Sequence, residues 1–148
     1  PAAAVAEARR ALAARGMCVD LAWVAAALAD ATGPTLAARD AALFVQYLHC
    51  DLRTAAGALS ADEGLPADVA RWHDRRLGRA VVLQLEAREA IGDPSARRDA
   101  RTLSVLLTDG AREVAAFERA PVDGLDAAPL GAKIYVDADA LARRGVIL

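Results

Sequence analysis

The first sixty residues carry apolar side chains at a spacing of three to four, which is the period of an α-helix. Val5, Ala8 and Leu12 show this spacing between Ala2 and Arg15, and Gly16 supplies a stop. A second helix is predicted from a cap at Asp20 to Gly33-Pro34, and a third from Pro34 or Thr35 to Leu52. Their inward-facing residues are expected to be Trp23, Val24, Ala27 and Leu28 in the second helix and Leu43, Phe44, Tyr47 and Leu48 in the third. The pattern therefore predicts a small three-helix bundle.

From Ala80 onward the apolar period shortens to two, which is typical of β-strands. Val81, Leu83 and Leu85 alternate with Val82, Gln84 and Glu86, which predicts a half-buried strand. Asp109-Gly110 is a hairpin signal between two further strands. The predicted strands after the first are Leu103 to Leu107, Val114 to Glu118, Lys133 to Val136 and Gly145 to Leu148. Five strands in about 70 residues predict a small Greek-key barrel of the OB type, so the fold class is α+β.

The chain changes character near residue 60, since 22 alanines fall in residues 1–61 and 17 in the longer remainder. We predict a helical bundle over residues 1–60, a connector over 61–79 and the barrel over 80–148, which we expect to be truncated at its C-terminus.

Charge and hydropathy narrow the range of functions. The net charge is −2 with a pI of about 5.7, without the basic excess expected of a protein whose binding depends on phosphate neutralisation. In the barrel only Phe117 and Tyr135 are aromatic, so the stacking platform of single-strand binders is not predicted. No apolar run reaches the roughly 18 to 20 residues that a membrane span requires, and we expect no membrane association.

One cluster of potentially reactive residues is His49-Cys50-Asp51. Adjacent helix residues point about 100° apart, so we interpret this cluster as the polar end of a helix. His73 lies far away, and no zinc spacing, phosphate loop or nucleophile motif is present. We predict no catalytic residues, no metal and no cofactor.

Several motifs, in order, resemble the RecQ-mediated genome instability protein 1 family, in its N-terminal helical domain and first OB-fold. Upstream these motifs are Trp23, Tyr47-Leu-His-Cys-Asp-Leu-Arg53, Gly64-Leu-Pro66 and Val82-Leu-Gln-Leu85. In the barrel they are Leu103-Ser-Val-Leu-Leu-Thr-Asp-Gly110, Ala116-Phe-Glu118, Pro121-Val122, Pro129-Leu-Gly-Ala-Lys-Ile134 and Arg144-Gly-Val-Ile-Leu148. The chain departs from the family pattern at Tyr47, where Trp is usual, at Leu130, where a second Pro is usual, and in the order Gly64-Leu65.

The resemblance implies a nuclear, non-enzymatic scaffold subunit. It would bind a type IA topoisomerase III and support its coupling to a RecQ-family helicase in dissolving double Holliday junctions, with weak or indirect DNA contact. Two alternatives remain open at this point: an OB-fold domain that binds single-stranded nucleic acid, and an RNA-linked adaptor of topoisomerase III beta, like the related Tudor-domain partner.

The resemblance also implies where a partner would bind. In the family, a loop between the first two barrel strands inserts toward the topoisomerase gate, and residues 91–101 match that loop. Lys133 matches the family's Gly-x-Lys-Ile motif. The partner-binding residues expected from the resemblance are Ile91, Asp93, Pro94, Arg97, Arg98, Arg101 and Lys133. From its residue types, Thr108-Asp109-Gly110 is expected to be a conformational turn.

Overall fold

The computed structural model describes residues 2–57, 59–60, 62–91 and 102–148. Helices come first and a curled seven-stranded mixed sheet follows, which confirms the predicted α+β class with an OB-fold. The predicted domain boundaries stay predictions.

The helical part contains one more helix than the sequence predicted. The helices are α1 (Ala2–Ala13), α2 (Leu21–Asp30), α3 (Leu36–His49) and α4 (Leu52–Ala55). The Asp20 carboxylate accepts from the Trp23 N–H at 2.6 Å, so the predicted cap of α2 is confirmed. The third predicted helix breaks at Cys50, because the Asp51 side chain accepts from the Arg53 N–H and starts a new, short helix.

The prediction that four large apolar residues of α3 face inward is half wrong. Leu43 and Tyr47 are buried, but Phe44 and Leu48 remain 36% and 39% exposed. Each of the exposed residues lies one position after a buried residue, about 100° around the helix, and both line an open groove beside Tyr135 of the sheet. Phe44 and Leu48 are therefore surface residues.

The sheet contains all five predicted strands and two that were missed. Its strands are β1 (Arg75–Arg76), β2 (Val81–Ile91), β3 (Thr102–Thr108), β4 (Glu113–Phe117), β5 (Lys133–Val136), β6 (Leu141–Arg143) and β7 (Val146–Ile147). The missed strands β1 and β6 pair with each other and have two and three residues, too few for a period of two to show.

The pairing pattern follows the OB topology. Strands β2, β3 and β4 form an antiparallel meander, β5 returns to pair with β2, and β7 runs parallel to β4. The order β1-β6-β7-β4-β3-β2-β5 leaves β5 at one edge of the sheet.

Strand β2 is buried on both faces over Val81 to Leu85, so the predicted half-buried alternation is wrong there. Leu83 and Leu85 lie in the barrel core, whereas Val82 belongs to a second core together with Leu12 and Tyr47 of the helices. The helical layer packs directly on the outer face of this strand, and the alternation separates two cores rather than a core from solvent.

The β3–β4 turn is more than a hairpin connection. Gly110 has a φ of +100°, and a Cβ added there would lie 2.1 Å from the Leu52 carbonyl oxygen and 2.5 Å from the Ala56 Cβ. The backbone of the turn therefore lies directly against α4, and only glycine permits this approach.

Gly110→Ala is expected to lower the free energy of unfolding by roughly 3 kcal/mol or more, because about 1–3 kcal/mol of backbone strain adds to the displacement of α4. Gly124→Ala is the matched control, since Gly124 has a φ of +79° but no atom within 4 Å of an added Cβ. That control should lose about 1 kcal/mol from strain alone. Urea unfolding measures both, and equal losses would contradict close packing of the turn on α4.

Candidate functional site

The structure describes two of the seven predicted partner-binding residues, and they lie apart in the fold. Ile91 is the last residue of β2, 46% exposed and paired with Thr102 of β3. Lys133 is the first residue of β5. The remaining five, Asp93, Pro94, Arg97, Arg98 and Arg101, lie outside the described residues.

The second half of β2, Ala87 to Ile91, forms an exposed extension that we call the arm. It pairs with β3, whose Leu103 and Val105 stay in the barrel core. The register shifts at a β-bulge between Leu85 and Ala87, and all five β2 residues from Ala87 to Ile91 are exposed. A bulge bends a strand and increases its local twist, which redirects the arm relative to the barrel. Residues 92–101 thus connect two strand ends that are paired with each other at the tip of this arm.

Arg88 fixes the base of the arm. Its guanidinium donates to the Leu125 carbonyl at 2.9 Å and to the Ala128 carbonyl at 2.6 Å. Leu125 is itself buried in the barrel core. The arm is therefore fastened to the loop that precedes β5.

Lys133 reaches toward the helices. Its Nζ donates to the carbonyl oxygens of Cys50 at 2.6 Å, Gly131 at 3.0 Å and Leu48 at 3.4 Å. These contacts cap the C-terminal end of α3, where unpaired carbonyls carry partial negative charge. Burial lowers the pKa of the Lys133 amine, while the nearby Asp51 and Glu86 carboxylates favour its charged form. The amine therefore joins β5 to the end of α3.

A polar network lies beside this amine at the junction of helices and barrel. The buried Gln84 side chain accepts from the Leu52 N–H at 2.9 Å and donates to Asp51 at 2.9 Å and to Glu86 at 2.8 Å. Arg53 donates to Glu86 at 3.1 Å and also pairs with Glu113 of β4. The hydrogen bond from Gln84, followed by the Arg53 N–H, holds the pKa of Asp51 below its ordinary value.

A second polar network surrounds the β3–β4 turn. Asp109 is only 1% exposed, and its carboxylate accepts from the backbone N–H groups of Leu65 at 2.8 Å, Ala111 at 2.9 Å and Arg112 at 2.6 Å. The Arg112 guanidinium donates in turn to the Leu65 carbonyl at 2.7 Å. The motif expected to be only a local turn therefore also binds the segment that leads into the barrel.

The cluster His49-Cys50-Asp51 does not converge on one point. His49 is exposed, the Cys50 thiol donates to the Tyr47 carbonyl at 3.2 Å, and Asp51 caps α4. Burial raises the pKa of both thiols, Cys18 and Cys50, which is opposite to the shift of a reactive cysteine. Among the described residues no group of three His, Cys, Asp or Glu side chains is placed to hold a metal ion.

The residues that organise this junction were missed in part by the sequence reasoning. Gln84 occupies a position that alternation assigns to solvent, and the one available signal was its place between apolar neighbours in Val81 to Leu85. The partners of Lys133 lie more than 80 residues away in the chain, apart from Gly131, and no local pattern indicates them.

Comparison with protein families gives a match for the second part of the chain. A family model described as RMI1, N-terminal OB-fold domain, matches residues 67–148, which is more than half of the chain. The search of curated proteins found no match to the chain. Within the part of the chain that the structure describes, no helix is long and apolar enough to span a bilayer.

Lys133→Met retains most of the side-chain volume and removes the amine. The Cys50 and Leu48 carbonyls then lose a charged donor, so we expect the free energy of unfolding to fall by about 1–3 kcal/mol. Arg10→Met is the control, because among the described residues the Arg10 side chain bonds only to its own helix, and an exposed substitution typically changes stability by about 0.5 kcal/mol or less. Chemical denaturation compares the two, and equal effects would contradict the joining role of the amine.

Asp51 should contribute to acid sensitivity. Its folded-state pKa lies below the ordinary 3.8, so its stabilising contribution is present above pH 3.8 and is lost as the pH falls through the folded-state value. Asp51→Asn keeps the cap and cannot titrate, so the stability difference between wild type and variant should shrink as the pH falls below 3.8. Unfolding at a series of pH values measures this difference, and the exposed Asp68→Asn serves as control. A difference independent of pH would refute the contribution.

Proposed function

The chain belongs to the RMI1 family, whose N-terminal OB-fold domain it contains, and on this premise we propose that it binds a type IA topoisomerase III as a non-catalytic subunit. A scaffold role related to the RecQ complex goes with the family in general. The proposal adds the partner, the coupling of that partner to a RecQ-family helicase, and the dissolution of double Holliday junctions in the nucleus.

The observation that carries the proposal is the exposed arm formed by the second half of β2. Residues 87–91 of β2 are exposed and pair with residues 102–106 of β3, and residues 92–101 join the ends of these two strands. Arg97, Arg98 and Arg101 lie within that joining segment. Arg88 fastens the arm to the loop before β5, so the strand end that leads into this segment is held in place relative to the barrel, which a gate-contacting loop requires.

The internal contacts of the barrel support a protein-binding role over a catalytic role. The Lys133 amine and the Asp109 carboxylate are both engaged with backbone groups of the same chain. They hold helices, turn and barrel in one arrangement, which lowers the ordering cost when a partner docks. The near balance of charge favours a protein partner over a nucleic acid held by phosphate contacts.

The experiment is association of the purified chain with its cognate topoisomerase III, measured by pull-down and by titration calorimetry. We expect a complex at micromolar concentrations. A folded sample with no detectable association at those concentrations would contradict the proposal.

The segment at the tip of the arm is tested separately by replacing residues 92–100 with a Gly/Ser linker of equal length. We expect decatenation by the topoisomerase to change more than affinity, because the segment is proposed to act on the gate while the barrel contributes most of the contact. Arg10→Ala/Arg71→Ala is the control, since it removes two arginines, as the linker does, but at exposed sites outside the arm. Equal decatenation with the linker variant and with wild type would sink this role.

A further inference from the structure

Strand β5 presents an unpaired edge. It pairs with β2 through the register Val82↔Tyr135 and Leu83↔Ile134. The Val82 N–H donates away from β5, to the Gly16 carbonyl at 2.9 Å, whereas the Leu85 N–H donates to Ala132 on the β5 side. In an antiparallel pair the bonded positions alternate, so the N–H and C=O of Tyr135 point away from β2. Among the described residues no group bonds to them.

Apolar grooves lie on both faces of this edge. On the barrel side a cleft of about 450 Å³ is lined by Ile134 and Val136 together with Val105 and Ile147. On the helix side a groove of about 480 Å³ is lined by Met17, Phe44, Leu48 and Tyr135. Successive side chains of a strand point to opposite faces, so a strand added along β5 would place alternate side chains into the two grooves.

The edge also lacks the usual protection. Proteins commonly guard an exposed edge strand with lysine, but the Lys133 amine is turned inward onto the carbonyls of Cys50 and Gly131. Tyr135, which lies in the middle of the edge, is 62% exposed. Together with the exposed Phe44 and Leu48 it forms an apolar surface beside unpaired backbone groups.

We propose that the edge of β5 is a docking site for an extended segment of the protein partner, which adds as a further strand and is apolar at alternate positions. The segment carries an acidic side chain on its helix-side face. Arg15 lines the helix-side groove, is exposed and makes no ion pair among the described residues, so it is available to that carboxylate. The proposal rests on the proposed function for the identity of the partner.

A partner segment fits this edge better than a second copy of the chain does. Antiparallel pairing of two β5 edges forms one continuous sheet with a two-fold axis perpendicular to it. Both helical layers would then lie on the same face of the joined sheet, because in each copy the helices cover the Val82 face. Both Arg15 side chains would lie on that same face beside the paired strands, and like charges oppose such pairing.

The central experiment compares Tyr135→Pro with Tyr135→Thr in binding to purified cognate topoisomerase III. Proline removes the outward N–H and leaves the β2 side of the strand bonded, as edge strands tolerate. Threonine removes the ring but keeps the N–H. We expect Tyr135→Pro to bind at least tenfold more weakly than Tyr135→Thr, with unchanged circular dichroism and unfolding for both.

Two further measurements test the groove and the strand directly. Phe44→Ser should weaken binding several-fold, whereas Leu36→Ser, an exposed apolar residue on the same helix, should leave it unchanged. Hydrogen exchange of the Tyr135 amide should be fast in the free chain and at least tenfold slower in the complex.

The outcomes separate the two proposals. If wild type binds topoisomerase III while the proline and threonine variants bind equally and the Tyr135 amide stays fast, strand addition is wrong and the proposed function stands. If wild type does not bind, the proposed function fails and strand addition by that partner fails with it. A dimer of the chain that Tyr135→Pro dissociates would overturn the partner segment in favour of a second copy.

Discussion

Five residues of β2, Val81 to Leu85, are covered on both faces, and this double burial forces the helices and the barrel to share one strand. Leu83 and Leu85 fill the barrel while Val82 fills the helical core. Burial of apolar side chains stabilises the folded state by about 25 cal/mol per Å² of buried surface. Here one strand contributes such burial to two hydrophobic cores. Neither core is complete without the other layer, and the arrangement of the molecule follows from this sharing.

Double burial also requires that polar side chains on this strand be hydrogen-bonded. A hydrogen-bonding group enclosed between two layers costs free energy unless it is paired, so Gln84 must find partners on the helical side. It does so at Leu52, Asp51 and Glu86. The Lys133 amine, at the register position opposite Gln84, satisfies the last carbonyls of α3 in the same way. The polar residues at the junction therefore determine how the helices sit on the sheet.

The parts of the fold that were predictable are those with a local signal. The Asp20 cap, the β3 alternation and the Asp109-Gly110 hairpin each depend on neighbouring residues, and the structure contains all three. The failures concern tertiary context: alternation in β2 cannot distinguish solvent from a second core, and a helical stripe cannot show that Phe44 lines an open groove instead of the core. At the site, the family resemblance singled out Lys133, but its contacts to Cys50 and Leu48 depend on how two layers meet.

The strand order has a consequence for how the chain folds. Helices α1 to α3 form from neighbouring residues, but β1 pairs with β6 and β4 pairs in parallel with β7, so the sheet needs residues 141–147 before it can be completed. Pairings between distant segments are slow because loop closure must precede them. During synthesis at about 5–20 residues per second, the helices emerge seconds before those last strands. From its own synthesis until β7 follows, β4 presents an unpaired edge, and a chaperone that covers strand edges would have its target there.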